Sequence, residues 1–308
     1  MDRRKKILVN KYEVATEESL QRSSAKQGAR VFAKVRIADA LDIERSGLTD
    51  EEYSYALKAH FDFVVTASDM QSLFAVEFDG IQHSYDVNTL HRDKLKNTIC
   101  DKLGIPLLRI DHAYLTRVER FACVLDWLVE MWFMEQAWNK AYDQGDLSED
   151  ADFYPYSIFE WGYIENSRFI AVDITKLSLD ELTELTKNGR RFTLRSYDPF
   201  ASYQIYIRKL SEAWICLDVF PKTVEYIDWN SGYSKAIAYV QLPNHNFIVG
   251  TIRCRVSNFI TGGVDLARNL AIVDCTQNLL KYRNGEAVAI LFGELEKMKQ
   301  SVKPKASC

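Results

Sequence analysis

The feature that most constrains the fold is a pair of short apolar segments, each carrying an acidic residue. Residues 61–65 and 73–78 are rich in β-branched and aromatic side chains, and the polar interval 66–71 between them is typical of a hairpin turn. Asp62 opens the first segment, and Glu77 and Asp79 close the second, with 77 − 62 = 15 residues from the first acid to the next. We therefore expect two antiparallel strands that bring three carboxylates to one strand end. Because burying one carboxylate alone is costly, this grouping indicates a site for a divalent cation.

The residues that follow predict a mixed α/β sheet. Gly80 allows a sharp turn, and residues 89–103 place apolar side chains at the spacing of one helical face. Gly104 is a plausible helix stop, and residues 105–110 have the composition of a third strand, with Pro106 at its entry. Upstream, residues 31–38 predict one more strand. The acidic strand ends should all face one edge of this sheet.

These residues carry a resemblance to a known family. The order is Asp62, then Glu77-Phe78-Asp79-Gly80 with Gln82-His83, then Arg92-Asp93 and Lys96, then Gly104-Ile105-Pro106-Leu107-Leu108-Arg109-Ile110. It resembles the PD-(D/E)xK nuclease superfamily, and within it the branch with a Glu-x-Asp-Gly-x-x-His motif that is related to very-short-patch-repair endonucleases. The match covers about the first 115 residues. It implies a restriction-endonuclease-like mixed sheet flanked by helices.

The resemblance also implies a set of site residues. The metal ligands would be Asp62, Glu77 and Asp79, with Glu18 from the first helix as an outer contact. Against that last role, Thr16 can start a helix over residues 15–27, which would put Glu17 and Glu18 in a first turn that favours acids for structural reasons alone. The catalytic set would be Asp62, Glu77, Asp79, Gln82, His83 and Lys96, and the nucleic-acid contacts Arg92, Lys94 and Lys96.

One position departs from the superfamily pattern. Its signature ends in Glu-x-Lys, and here Asp79 occupies the third place. The usual lysine orients the attacking water and offsets charge in the transition state. Its absence implies either a substitute elsewhere, with Lys96 and Gln82 as the candidates, or a weakened enzyme.

Composition places the chain among ordinary globular proteins. Its 308 residues suffice for two domains, and it is 47% hydrophobic and 27% charged. The six cysteines are scattered without zinc spacing, so we expect reduced, mostly buried thiols. The formal net charge of −4 is not that of a strongly basic nucleic-acid binder. The basic start lacks the apolar run of a secretory signal, and the most apolar stretch is interrupted by acids, so we expect a cytoplasmic protein that does not enter a membrane.

The remainder of the chain predicts a second domain. Residues 112–142 have the pattern of one long helix, and the acidic stretch 143–152 marks a boundary, which gives domains of 1–142 and 153–308. Seven runs in the second half predict strands, at 168–174, 191–196, 203–207, 213–219, 223–227, 235–242 and 247–256. Helices are expected at 178–187, 264–282 and 286–300. This is an α+β domain rich in antiparallel strands, of no family that we recognise.

The sequence therefore predicts a Mg²⁺-dependent endonuclease, with Mn²⁺ as a substitute metal and DNA favoured as the substrate. The resemblance implies a bacterial restriction or phage-defence setting. Two alternatives remain open. One is a non-catalytic nucleic-acid-binding or protein-binding module on a nuclease fold, and the other is a sensor whose C-terminal domain gates the nuclease. That domain would select the substrate, form a homodimer or bind a partner protein.

Overall fold

The computed structural model describes residues 10–80, 87–118, 121–148, 150, 152–166, 168–172, 177–188, 190–213, 221–228, 232–255, 259 and 263–302. The described helices are α1 (Lys11–Ala25), α2 (Ile37–Ala40), α3 (Asp50–Ala56), α4 (Val87–Leu103), α5 (Val124–Asp143), α6 (Leu179–Lys187), α7 (Ala201–Ala213), α8 (Gly263–Arg283) and α9 (Phe292–Val302). The strands are β1 (Arg30–Arg36), β2 (His60–Thr66), β3 (Ser72–Phe78), β4 (Leu107–Ile110), β5 (Phe159–Glu165), β6 (Arg168–Ala171), β7 (Phe192–Ser196), β8 (Lys222–Asp228), β9 (Tyr233–Gln241) and β10 (Phe247–Arg255).

The first sheet is mixed, and its strands lie in the order β1-β2-β3-β4. The first three strands are antiparallel, whereas β4 runs parallel to β3 after the helix α4. A parallel neighbour requires a crossover, which α4 supplies. The mixed α/β class expected from the sequence is therefore confirmed, and the predicted strands and helix of this segment match the structure closely.

The other described strands form two antiparallel sheets, β10-β9-β8 and β6-β5-β7. Helix α8 packs on β9 and β10 and approaches the sheet closely at Gly250, where an added Cβ would lie 2.1 Å from the Cys275 backbone nitrogen. Only glycine permits this approach. The second half is therefore rich in antiparallel strands and helices, as predicted.

A single buried cluster runs across both halves of the chain. It joins β2 and β3 to α5, and continues into β9, β10 and α8. The ring centroid of Phe74 lies 4.7 Å from that of Trp132 and 5.0 Å from that of Phe259, so aromatic contacts cross the sequence boundary predicted at 143–152. The cysteines within the described residues, Cys100, Cys123, Cys254 and Cys275, are buried, as expected.

Helix α1 is fastened to α5 by a buried carboxylate. Asp126 accepts hydrogen bonds from Ser19 at 3.1 Å, from Ser23 at 2.8 Å and from both Nε and Nη2 of Arg22. It also accepts the Cys123 backbone N–H at 2.9 Å. This last bond caps α5, which explains why the helix begins at Val124.

Three sequence predictions of secondary structure need correction. The long helix expected over 112–142 is a 3₁₀ turn at His112–Leu115 followed by α5, because Asp111 caps the turn and Asp126 caps the helix. The strand expected at 203–207 lies inside α7, where Ile207 and Leu210 form a buried face at helical spacing. The helix expected from 286 begins at Phe292, and residues 214–219 of another predicted strand lie outside the described residues.

Within the part of the chain that the structure describes, no helix is both long enough and apolar enough to cross a membrane.

Candidate functional site

The candidate site lies where strands β2 and β3 separate. Their ladder has its last pair at Phe63 and Val76, and beyond it each strand is held by a carboxylate of the other. The Asp62 backbone N–H donates to Glu77 Oε1 at 3.2 Å, and the Phe78 N–H donates to Asp62 Oδ2 at 2.9 Å. The structure thus brings Asp62 and Glu77 together at the strand ends.

Helix α4 adds a buried cation to this pair. Lys96 Nζ lies 2.7 Å from Glu77 Oε1 and donates to the His60 carbonyl at 2.9 Å. Both side chains are about nine-tenths buried, with 9% of Lys96 and 10% of Glu77 exposed. From the sequence, Lys96 was one of two candidates to replace the missing motif lysine. In the structure it contacts Glu77, the glutamate of that motif.

The environment of Glu77 disfavours its charged form. Burial is the largest cause and raises the pKa of its carboxyl, the negative charge of Asp62 raises it further, and Lys96 opposes both. The net effect is a pKa of about 7. A buried carboxylate that its neighbouring lysine does not fully compensate is well suited to bind a further cation.

A second lysine, which the sequence analysis missed, completes the arrangement. Lys34 of β1 lies opposite Asp62 in the strand register, and its Nζ is 2.6 Å from Asp62 Oδ1 and 3.0 Å from Glu13 Oε1. Burial lowers the pKa of Lys34, but the hydrogen bonds and charges of Asp62 and Glu13 outweigh burial and raise it overall. The signal was present in the sequence as a lone charge inside an apolar strand.

Lys34 has an unusual backbone. Its φ is 55°, in the left-handed region that lysine rarely adopts and that costs about 1–2 kcal/mol. Such strain in the middle of a strand persists only where the surroundings enforce it, and it is found preferentially at functional sites.

The first helix contributes Glu13 to this group, and Glu18 lies elsewhere. Helix α1 begins at Lys11, with Asn10 as its N-cap, so Thr16 is buried inside the helix and does not start it. Glu18 is exposed, about 140° around the helix from Glu13, and its charge acts on Arg22. The predicted outer metal contact at Glu18 is therefore not at the site.

Asp79 points to a different cluster. Arg109 Nη1 lies 3.0 Å from its Oδ1, and Arg255 Nε lies 2.8 Å from its Oδ2. The same two arginines contact Asp93, at 3.1 Å and 3.8 Å. This carboxylate of the Glu-x-Asp motif therefore holds β3 to β4 and to β10.

The remaining predicted residues fall outside this geometry. Gln82 and His83 lie outside the described residues. Arg92 and Lys94 are exposed on α4.

A cavity of about 640 Å³ lies next to Lys34 along β1 and β2, and three further basic residues line it: Arg36, Lys58 and His60. Arg36 is paired with Asp39, whereas Lys58 is exposed and has no ion pair within the described part of the chain.

The fit of this site to Mg²⁺ rests on its donors. Asp62 and Glu77 supply hard carboxylate oxygens, and Mg²⁺ is usually bound by one or two carboxylates together with water and substrate phosphates. The raised pKa of Glu77 marks uncompensated burial that a cation would relieve. These two residues lie side by side and fit the metal, whereas Asp79 belongs to a separate cluster with Arg109 and Arg255. Among the described residues, no group of three or more His, Cys, Asp or Glu side chains could hold a metal ion.

Comparisons with known proteins add a family match without a function. A family model described as a protein of unknown function, DUF2726, matches residues 5–126. This range contains Glu13, Lys34, Asp62, Glu77 and Lys96, so the match spans the candidate site. The comparison with curated proteins found no match, and neither did the comparison with solved structures.

Proposed function

We propose that the protein is a Mg²⁺-dependent nuclease that hydrolyses phosphodiester bonds, with DNA as the favoured substrate. The observation that carries this proposal is the pairing of Asp62 and Glu77 at separated strand ends, with Lys34 and Lys96 each in contact with one of them. Two carboxylates can hold the metal, and two lysines can orient the attacking water and offset the charge of the phosphate.

In this proposal each residue has a role. Asp62 and Glu77 would hold the metal, which supplies acidification of a bound water and charge neutralisation of the phosphate. Lys96 is fixed between Glu77 and the His60 carbonyl, so it would orient the attacking water through a hydrogen bond. Lys34 is less buried, with 33% of its side chain exposed, and would contact a phosphate oxygen.

The surroundings of the site are consistent with a nucleic-acid substrate. A mixed sheet with α1 and α4 packed against it is consistent with the architecture that the PD-(D/E)xK resemblance implies. The cavity beside Lys34 carries the basic residues Arg36, Lys58 and His60, and a nucleic acid is held mainly through its phosphates. Arg92 and Lys94, which are exposed on α4, would be further contacts to the nucleic acid.

The test is cleavage of supercoiled DNA, linear DNA and single-stranded RNA by purified protein with Mg²⁺ or Mn²⁺. Asp62→Asn and Glu77→Gln should lower the rate by about 100-fold or more, because each removes a group that stabilises the transition state. Asp101→Asn is the matched control, since Asp101 is an exposed carboxylate on α4. Equal losses in all three variants would count against the site.

A second candidate is the non-catalytic binding module. It is favoured by the ion pairing itself, because Lys34 and Lys96 already contact the two carboxylates and Asp79 lies between two arginines. Calorimetric titration with Mg²⁺ separates the candidates. Binding that Asp62→Asn abolishes supports the nuclease, and no binding in an inert protein supports the module.

A further inference from the structure

A second cavity lies between the two halves of the chain, and its lining shares no residue with the carboxylate site. It has a volume of about 540 Å³ and is bounded by β9, β10, the end of α9 and the segment that follows β4. Its polar lining includes Asp111, His112, Lys235 and Arg253, and Tyr233 lies beside them. None of these residues belongs to the proposed nuclease site.

Two like charges face each other on its wall. Arg253 of β10 and Lys235 of β9 are directly opposite in the antiparallel register, so both side chains project from the same face of the sheet. Both are partly buried, and within the described residues neither forms an ion pair with a carboxylate. Like charges placed directly opposite destabilise a sheet, and an anion bound between them would offset this repulsion.

Neighbouring groups fix the position of one cation and engage the nearby acid. The Arg253 guanidinium lies 3.5 Å from the centroid of the Tyr233 ring, a cation–π contact that orients it. Asp111 lies in the same lining and its charge acts on Arg253, but its oxygens are engaged elsewhere, since Oδ1 accepts the Ala113 N–H and Oδ2 accepts the Arg255 N–H, each at 2.9 Å. Among the described residues it forms no ion pair with either cation, so both the lysine and the arginine can contact a ligand.

The remaining wall is apolar, so the ligand should carry an apolar group as well as a negative charge. Ile237, Met298 and Val302 line it. Ligand cavities commonly combine such an apolar lining with a few charged groups that fix orientation. A phosphate monoester carries a charge of about −1.5 to −2 near neutral pH, which matches one arginine and one lysine.

We propose that this cavity binds a small organic phosphate, in which the phosphate contacts Arg253 and Lys235 and a ring or apolar body lies against Ile237 and Met298. The site is independent of the nuclease proposal, because binding requires neither metal nor nucleic acid. The proposal therefore assigns a small organic phosphate to the C-terminal half of the chain.

The test uses calorimetry and thermal melting of the full chain with four probes: phenyl phosphate, adenosine monophosphate, inorganic phosphate and adenosine. We expect phenyl phosphate or adenosine monophosphate to bind more tightly than inorganic phosphate, and adenosine not to bind. Lys235→Glu places an acid opposite Arg253, so it should weaken phosphate binding by at least about tenfold while raising the Tm of the free protein.

Lys297→Met is the matched control, because Lys297 is an exposed lysine of α9 outside the cavity lining. It should bind as the wild type does, and Lys235→Met provides a second variant in case Lys235→Glu does not fold. Two results overturn the proposal. One is the absence of binding of both organic phosphates up to about 1 mM. The other is binding that survives the Lys235 substitutions, which would place the phosphate elsewhere, for instance beside Lys34.

Discussion

Lys34 Nζ lies 2.6 Å from Asp62 Oδ1, and the lysine adopts a left-handed backbone at this point of contact. In the strand register the two residues face each other between the pairs Ala33–Phe63 and Val35–Phe61. The ladder continues on either side, so the conformation is confined to one residue. Backbone strain that persists at a contact between charged side chains is typical of functional sites.

Replacing Lys34 separates the effect of its backbone from that of its charge. Lys34→Gly relieves the left-handed strain, whereas Lys34→Met keeps it, and both remove the ion pairs with Asp62 and Glu13. We expect the glycine variant to have the higher free energy of unfolding, by about 1 kcal/mol, and both variants to lose cleavage. Urea denaturation measures the first difference. Equal stability of the two variants would show that the backbone is unstrained.

The raised pKa of Glu77 predicts that the metal-free protein loses stability as pH rises. Its carboxyl has a folded pKa of about 7 against an ordinary value of 4.5, so the folded state binds the proton more tightly than the unfolded state does. The free energy of unfolding should therefore fall between about pH 4.5 and pH 7, by about 3 kcal/mol in total. Denaturation at half-unit pH steps in a metal-chelating buffer measures this slope.

Glu77→Gln provides the comparison, because glutamine does not titrate. The variant should lose the part of the decline between pH 4.5 and 7 that Glu77 causes and keep the part that comes from Asp111, whose burial raises its pKa to about 6. A wild-type curve that is flat over this window would contradict the burial of an uncompensated carboxyl at position 77.

The first sheet could be predicted from the sequence because its signals are local. The strands carry β-branched runs, and the acids Asp62 and Glu77 interrupt them at their ends. Glu13 and Lys34 could not be assigned in the same way, because their relevance depends on α1 lying beside β1 and on β1 facing Asp62 across the sheet. Asp79 was misleading for the related reason that its partner Arg255 is 255 − 79 = 176 residues away in the chain.

The second half was harder to predict because its elements depend on packing. The segment around Tyr203 and Ile207 has strong β propensity, yet it forms α7, since a helix buries Ile207 and Leu210 on one face. Strand β5 was missed because Glu160 and Gly162 interrupt its apolar pattern. Tertiary contacts overrode local propensity in both places.

Asp126 predicts a specific sensitivity to acid. Burial raises the pKa of its carboxyl, but the hydrogen bonds from Arg22, Ser23 and Ser19 outweigh burial and lower it overall. Its contribution to stability is therefore present above the ordinary value of 3.8 and is lost as pH falls through the lower folded pKa. Asp126→Asn should reduce the free energy of unfolding at pH 7 by about 2–3 kcal/mol, as measured by urea denaturation.

An exposed aspartate at the other end of α5 gives the control for this prediction. Asp143→Asn changes an exposed carboxylate at the end of the same helix and should alter the free energy of unfolding by less than about 0.5 kcal/mol. If Asp126→Asn also leaves stability unchanged, the attachment of α1 to α5 does not depend on this carboxylate.

Arg255 connects β10 of the second half to Asp79 beside the candidate site. Its Nε lies 2.8 Å from Asp79 Oδ2, its backbone N–H donates to Asp111, and its carbonyl accepts the Tyr114 hydroxyl at 2.6 Å. Arg255→Gln leaves the backbone bonds in place but removes the positive charge from a cluster of two acids and two arginines. Truncating one partner of a buried ion pair typically costs about 3–5 kcal/mol, and this group, with 12% of the arginine exposed, should approach the lower end.

The measurement that locates this effect is amide hydrogen exchange, followed at β10 and at the end of β3 together. We expect Arg255→Gln to speed exchange in both segments, because the arginine holds one to the other. Arg253→Gln is the matched control on the same strand, since Arg253 contacts neither Asp79 nor Asp93 within 4.0 Å in the described structure, and it should leave exchange near Asp79 unchanged. Faster exchange in β10 alone would mean that Arg109 suffices to hold Asp79, and that the two halves are joined by their apolar contacts.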